Sequence, residues 1–384
     1  MKSIQDRITA KALALGFSFF GFAPVMQTPH YLEYSKWAAS GMAAGMGYLH
    51  GERVHSLRQD PPRILNDAQS VMVLGLHYRP VRAENTIPAD PRQPVGKIAS
   101  YACYDDYHFI LRDLCSELID FINTNIPKPI KHRVFIDSGP VMEKDFTYLA
   151  GLGWIGKNSL FIHPMAGSYC VLACIFSDHP FRTDEPLSTD PCGECQVCIN
   201  ACPTQCITQN RSVDARRCIA YLTIETRGTI ARELREKIGS WIFGCDVCQQ
   251  VCPLNQEVLN TYKKPSTVFQ KRISGDLDIQ AELNVSPGGF QDKYQSTPVI
   301  RATYSGFLRN LITSAGNSQT GLLVEPISRI LFTHPSPVIR THAAWSVGKI
   351  AAKTSRKILS QALTSENDAS VRQEIQLSLN SFKQ

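Results

Sequence analysis

Cys192-Gly-Glu-Cys195-Gln-Val-Cys198-Ile-Asn-Ala-Cys202-Pro203, answered further on by Cys245-Asp-Val-Cys248-Gln-Gln-Val-Cys252-Pro253, is the part of this chain whose spacing constrains it most. Three cysteines at two-residue gaps with a fourth before proline is the pattern of two-cluster ferredoxins, in which the cysteine before proline crosses to the other four-iron cubane. On that rule cluster one takes Cys192, Cys195, Cys198 and Cys252, and cluster two takes Cys202, Cys218, Cys245 and Cys248. A two-residue gap lets neighbouring thiolates bind different irons of one cubane, and the prolines turn the chain away after the last ligand. Cys218 stands alone where a complete second motif would carry another close cysteine. Paired C-x-x-C units also build zinc ribbons. A ribbon, however, gives no reason for a third cysteine at the next gap or for the C-x-x-x-C-P ending that occurs twice.

The chain has 13 cysteines, and in a reducing compartment a clustered set reads as metal ligands rather than disulfides. The remaining five, Cys103, Cys115, Cys170, Cys174 and Cys206, lack such spacing and read as buried small hydrophobes. No apolar run reaches the roughly eighteen residues of a membrane helix, and Asp6 and Lys11 interrupt any signal-peptide core. A cytoplasmic location without membrane attachment is expected.

A chain of 384 residues is too long for one ordinary core. Before the cysteine block, Ile4, Ile8, Ala12 and Leu15 recur at helical spacing up to Gly16, which predicts an amphipathic first helix. Ser70–Leu76 (SVMVLGL), Arg133–Ile136 (RVFI) and Tyr169–Phe176 (YCVLACIF) read as buried strands, and Tyr107–Asn123 as a helix, so residues 1–185 form an α/β domain. Residues 186–260 form a ferredoxin-like domain. After it, residues 261–384 are helical, with Val299-Ile300-Arg301, Val338-Ile339-Arg340 and Ser370-Val371-Arg372 each opening an apolar helical pattern. That self-similarity suits helical-pair repeats of the HEAT type; a plain helical bundle is the alternative. Gly151–Gly156 (GLGWIG) is glycine-rich, but no strand directly precedes it, which argues against dinucleotide binding there.

Taken in order, Gly45–Leu49 (GMGYL), Asp106–His108 (DYH), Phe135–Pro140 (FIDSGP), Gly151–Asn158 (GLGWIGKN), the cysteine block and Ala343–Ile350 (AAWSVGKI) resemble the epoxyqueuosine reductases over nearly the whole chain. The resemblance implies an α+β multidomain fold: a nitroreductase-like cobalamin-binding domain, a two-cluster bacterial ferredoxin-like domain and C-terminal HEAT-like repeats. It implies base-off cobalamin fed by two 4Fe-4S clusters. The reaction it implies is reductive removal of the epoxide oxygen of epoxyqueuosine at the tRNA wobble position, the last step to queuosine, with Co(I) as nucleophile. Partners on this reading are tRNA carrying epoxyqueuosine and an external electron donor, and the expected state is a monomer.

Carried across by motif, Asp137 corresponds to the family's proton donor, at a strand end where a turn can hold a carboxyl over a pocket out of water. Arg58 matches a cobalamin-contacting arginine, Ala99 a backbone contact position, and Lys157, Asn158, Phe161 and Leu172 the stretch that walls the cofactor. The formal charge of +6 permits an RNA partner without requiring one. Lys263-Lys264, Lys271-Arg272 and the repeat-opening Arg301, Arg340 and Arg372 are candidate phosphate contacts, against the alternative that these arginines tie neighbouring helices together. The rival functions are a cobalamin-dependent reductive dehalogenase, which gives no reason for a repeat tail, and an electron-transfer subunit, which leaves the first 185 residues unexplained.

Overall fold

The computed structural model describes residues 3–81, 93–261 and 268–383, and these form two compact units. The first draws on the described residues of 1–80, 104–216 and 246–270, the second on those of 81–103, 217–245 and 271–384.

The first unit is built on a four-stranded, wholly antiparallel sheet in the order Phe19–Pro24, Ser70–His77, Cys170–Ser177, His132–Phe135. The second of these is buried at all eight positions, which is why it reads as a continuous apolar run instead of alternating. Its Gly75 is forced by packing: a Cβ there would lie 1.9 Å from the Phe19 ring on the neighbouring strand. Val71, Val73, Phe135, Phe146, Leu149 and Phe176 form the core beneath the sheet, with Phe176 edge-on to Phe135 and Phe146 at 5.7 and 5.3 Å. The first helix, Ile4–Ala14, starts in a reciprocal Ser3–Asp6 capping box. Three of the four strands and the helix Tyr107–Asn125 match the sequence expectation to within two residues. The strand Phe19–Pro24 has no counterpart in it, because Gly21 and Pro24 give this short aromatic run the look of a loop.

In the second unit, a small sheet pairs Val95–Ile98 with Trp241–Phe243 in parallel and with Asp276–Asp278 antiparallel. Beyond it, helices Thr303–Ser318, Val324–Thr333, Pro337–Ile350, Ser355–Ser365 and Ala369–Asn380 stack through short connections. Pro337–Ile350 is buried on nearly every side and central, packing against Thr303–Ser318, Val324–Thr333 and Ala369–Asn380. Close crossings depend on glycine: a Cβ on Gly348 would sit 2.6 Å from the Ser378 side chain.

The repeat-opening arginines act as helix ties. Arg340 pairs with both carboxylate oxygens of Glu366 at 2.7 and 2.9 Å and donates to the carbonyls of His334 and Pro335. Arg372 donates to the carbonyls of Leu363 and Glu366, and Arg301 to Glu225 at 2.5 Å. Lys271 and Arg272 are exposed; Lys263 and Lys264 lie outside the described residues. No helix among the described residues is long and apolar enough to cross a membrane.

Candidate active site and cluster ligands

Four of the predicted ligands converge in the first unit. Cys192 sits in a turn where its N–H donates to Asp190 Oδ1 at 3.1 Å and its carbonyl accepts from Cys195 N at 2.8 Å. Cys198 lies in the short helix Val197–Ala201, and Cys252 directly precedes the helix Pro253–Thr261. Burial, and next the charge on Cys252, Cys192 and Cys195, pushes the Cys198 thiol up, so these sulfurs are electrostatic neighbours. Trp154, Ile162, Leu187 and Leu254 form an apolar wall against Cys192 and Cys252.

Of the other four, Cys202 and Cys248 belong to the first unit, and Cys218 and Cys245 to the second. Cys103, Cys115, Cys174 and Cys206 are buried as expected, while Cys170 is only partly so. Cys206 is more than packing: its sulfur lies 3.4 Å from that of Cys202.

Asp137 follows the strand His132–Phe135 and the buried Ile136, with its backbone in the left-handed region at φ +48°, which aspartate tolerates better than most residues. The expectation that this turn takes the Asp137 carboxyl out of water is not met, for its side chain is exposed. The left-handed turn swings it away from the core that holds Phe135 and Ile136. What fixes it is Tyr107, buried at the start of its helix, whose hydroxyl donates to Asp137 Oδ2 at 2.5 Å. Asp106 caps that helix through His108 N and holds the His108 ring at 2.7 Å, and the ring stacks on Tyr107 with centroids 4.1 Å apart.

A second carboxyl lies within electrostatic range of this one. Glu143, the first residue of the helix Glu143–Leu149, keeps partial solvent contact but is closely enough surrounded that burial, then the Asp137 charge, pushes its pKa up to about 7. Arg58 and Lys144 oppose that shift, which places Arg58 in the same charge cluster. Its guanidinium lies over the Tyr34 ring at 4.6 Å, and its buried Nε has no hydrogen-bond partner among the described residues.

The other predicted cofactor contacts are placed as follows. Lys157 Nζ donates to the Gly193 carbonyl at 2.5 Å, within the loop between Cys192 and Cys195. Asn158 is buried and its Oδ1 accepts from Leu160 N. Phe161 and Leu172 share one apolar cluster with Phe19 and Ala166. Ala99, in the second unit, is buried, and a Cβ on Gly244 would come within 2.5 Å of its own Cβ. Sequence reasoning missed Tyr107 and Glu143 as parts of the site. Tyr107 was within reach, since it sits in the DYH string; nothing local in the sequence marks Glu143.

Three family models match stretches of this chain. A family model described as "Epoxyqueuosine reductase QueG, DUF1730" matches residues 58–138, a "4Fe-4S double cluster binding domain" matches residues 191–255, and "HEAT repeats" match residues 307–380. The epoxyqueuosine reductase of Pseudomonas aeruginosa is 35% identical over 337 residues, covering 87% of this chain and 91% of that protein. The chain belongs to the epoxyqueuosine reductase family. Another relative of that name, from Vibrio cholerae, is 31% identical over 92% of this chain and 94% of its own. A crystal structure of epoxyqueuosine reductase with an epoxyqueuosine-modified tRNA-Tyr stem loop superposes with a TM-score of 0.89 at 27% identity, covering 99% of both chains. The Bacillus subtilis epoxyqueuosine reductase, solved with an aspartate catalytic loop swung out of the active site, gives 0.88 at 26% identity over 98% of both. This epoxyqueuosine reductase family member is an oxidoreductase with a double-cluster 4Fe-4S binding domain and a HEAT-repeat tail.

Proposed function

We propose that this chain reduces epoxyqueuosine in tRNA to queuosine, taking the epoxide oxygen out as water at the cost of two electrons and two protons and leaving an alkene. The observation that carries the reading is the Asp137 carboxyl, fixed by the Tyr107 hydroxyl at 2.5 Å, with the charge of Glu143 close enough to interact with it. The relatives' names and the stem-loop complex of a similar protein support the substrate. Residues 1–185, 186–260 and 261–384 serve, on this proposal, as a nitroreductase-like cofactor-binding segment, a cluster segment and a helical tail that supports the RNA.

Cys192, Cys195, Cys198 and Cys252 would hold one cluster and Cys202, Cys218, Cys245 and Cys248 the other, and such clusters would supply single electrons at low potential. Cobalamin, when bound, supplies a reducible cobalt whose low-valent form is a strong nucleophile toward a strained ring. The first unit suits it: the unsatisfied Nε of Arg58 fits the amide rim or phosphate of a corrinoid. Lys157, Asn158, Phe161, Leu172 and Ala99 keep their assignment to the cofactor.

Asp137 protonates the opening epoxide oxygen. By donating to Oδ2, the Tyr107 hydroxyl holds the carboxyl in one orientation. Glu143, its pKa pushed up to about 7 by burial, can supply a proton to the water that leaves. Replacing Asp137 by Asn should leave iron content and the cobalamin absorption bands intact while slowing turnover by about 10²- to 10⁴-fold. Near-normal turnover in that variant would remove the acid role.

A further inference from the structure

On the first unit, a cavity of about 390 Å³ is lined by Glu52, Arg53, Ser56, Leu57, Arg63 and Arg133. Half of its lining is arginine, and none of the three makes an ion pair among the described residues. Two of them are held in place by neutral groups. Arg63 Nη1 donates to Ser56 Oγ at 2.7 Å, and Arg133 Nη1 donates to the Ile64 carbonyl at 2.8 Å while its guanidinium lies 5.5 Å from the Phe135 ring centroid. Arginines fixed by uncharged partners keep their remaining donors and full charge for an anion. Arg53 and Ser56 lie one turn apart on the helix Glu52–Gln59, which further along carries Arg58 to the Asp137–Glu143 cluster.

We propose that this pocket binds a phosphodiester of the RNA backbone close to the reacting nucleoside. The inference rests on the tRNA substrate proposed above and adds to it a docking point. All three arginines are exposed, which suits a polymer that stays hydrated on its outer side and argues against an enclosed cofactor phosphate. The one carboxylate in the lining, Glu52, works against binding.

The test uses the holoenzyme and an epoxyqueuosine-modified stem loop, with affinity measured by fluorescence anisotropy over a range of salt. Arg53→Gln and Arg63→Gln should each weaken binding about tenfold and lower the slope of log affinity against log salt by about one, and Glu52→Gln should tighten binding. Cobalamin absorption and iron content should not change in any of them. Unchanged affinity and slope in both arginine variants, with wild type binding normally, would overturn the pocket and leave the proposed function standing. Loss of cobalamin with RNA binding intact would also overturn it, by assigning the arginines to the cofactor. Failure of wild type to bind the stem loop at all would sink the tRNA reading itself, and the pocket with it.

Discussion

Arg309 in the helical stack and Arg58 beside the proposed acid are both arginines taken largely out of water, and their surroundings treat them in opposite ways. Arg309 spends every donor: on the carbonyls of Leu222, Thr226 and Gly228 and twice on Asn310, at 2.7 to 3.1 Å. Burial drives its pKa down to about 10, still far above neutrality, so it stays charged. Arg58 stacks on Tyr34 and leaves its buried Nε open. A buried donor without an acceptor costs roughly 1–3 kcal/mol, and such a cost persists where something other than the fold completes the bond. Arg235, buried against Trp345 and paired with Glu374 at 3.0 Å, and Arg340, paired with Glu366, follow Arg309. Arg53, Arg63 and Arg133 differ from both in being exposed, and share with Arg58 only the lack of a carboxylate partner among the described residues. Arg309, Arg235 and Arg340 are spent on the fold, as Arg211 is on Asp190 and the Ile155 carbonyl, whereas Arg58 keeps a buried donor for a ligand.

The contrast is broken most directly by exchanging the roles. Arg309→Ala strips three carbonyls and Asn310 of their donor and should destabilise the second unit by about 3–5 kcal/mol in denaturant titration. Arg58→Gln should cost less than about 1 kcal/mol in the same titration but weaken cobalamin retention at least about tenfold by absorption after gel filtration. Equal stability losses in the two variants would erase the distinction.

Buried histidines extend the comparison to pH. In the second unit, His342 Nε2 accepts from Ile230 N and Nδ1 donates to the Val338 carbonyl, a neutral tautomer fully used by the fold. In the first, burial, and then the charge of His163, hold His77 down to about 4 against an ordinary 6.5. A histidine depressed in the folded state binds more protons when unfolded, so its contribution is complete above pH 6.5 and is lost as pH falls toward 4. For His77 that loss amounts to about 3 kcal/mol at most. Denaturant titrations between those limits should show it, and His77→Gln should flatten it.

Smaller effects refine the picture. Glu143 protonates on the acid side of its pKa of about 7, so turnover should fall as pH rises through that value. Glu143→Gln should remove this limb from the pH–rate profile at a loss of about tenfold or less in rate. At the bottom of the scale, Arg329 pairs with Glu325 one turn away on an exposed helix face, and Arg329→Ala should shift stability by less than about 0.5 kcal/mol.

What could be read from sequence follows from how local each signal is. The cysteine spacing is a covalent ruler, so a double-cluster domain is legible before any fold, and Ser70–His77 is plain because both faces of that strand are buried. The capped helix at Tyr107 was equally clear. Phe19–Pro24 was hidden because its place in the sheet depends on Gly75 accepting the Phe19 ring, a contact between distant parts of the chain. Glu143 was hidden for a similar reason: its unusual acidity comes from burial and from Asp137, and neither shows in the residues beside it. Asp137 is marked by its motif, but its surroundings are not legible there, since a left-handed turn exposes its side chain while burial acts on the Glu143 carboxyl. Whether the repeat-opening arginines face RNA or other helices could be answered only by finding Glu366 and the carbonyls around them.

The central claim is that this chain takes one oxygen atom from a modified nucleoside. It is tested most directly by anaerobic incubation of the cluster-loaded protein with cobalamin, a strong reductant and tRNA bearing epoxyqueuosine, followed by nucleoside mass spectrometry. The product should be lighter by the mass of one oxygen and should form only when cobalamin is present. Unaltered epoxyqueuosine from protein carrying full iron, sulfide and cobalamin would contradict it.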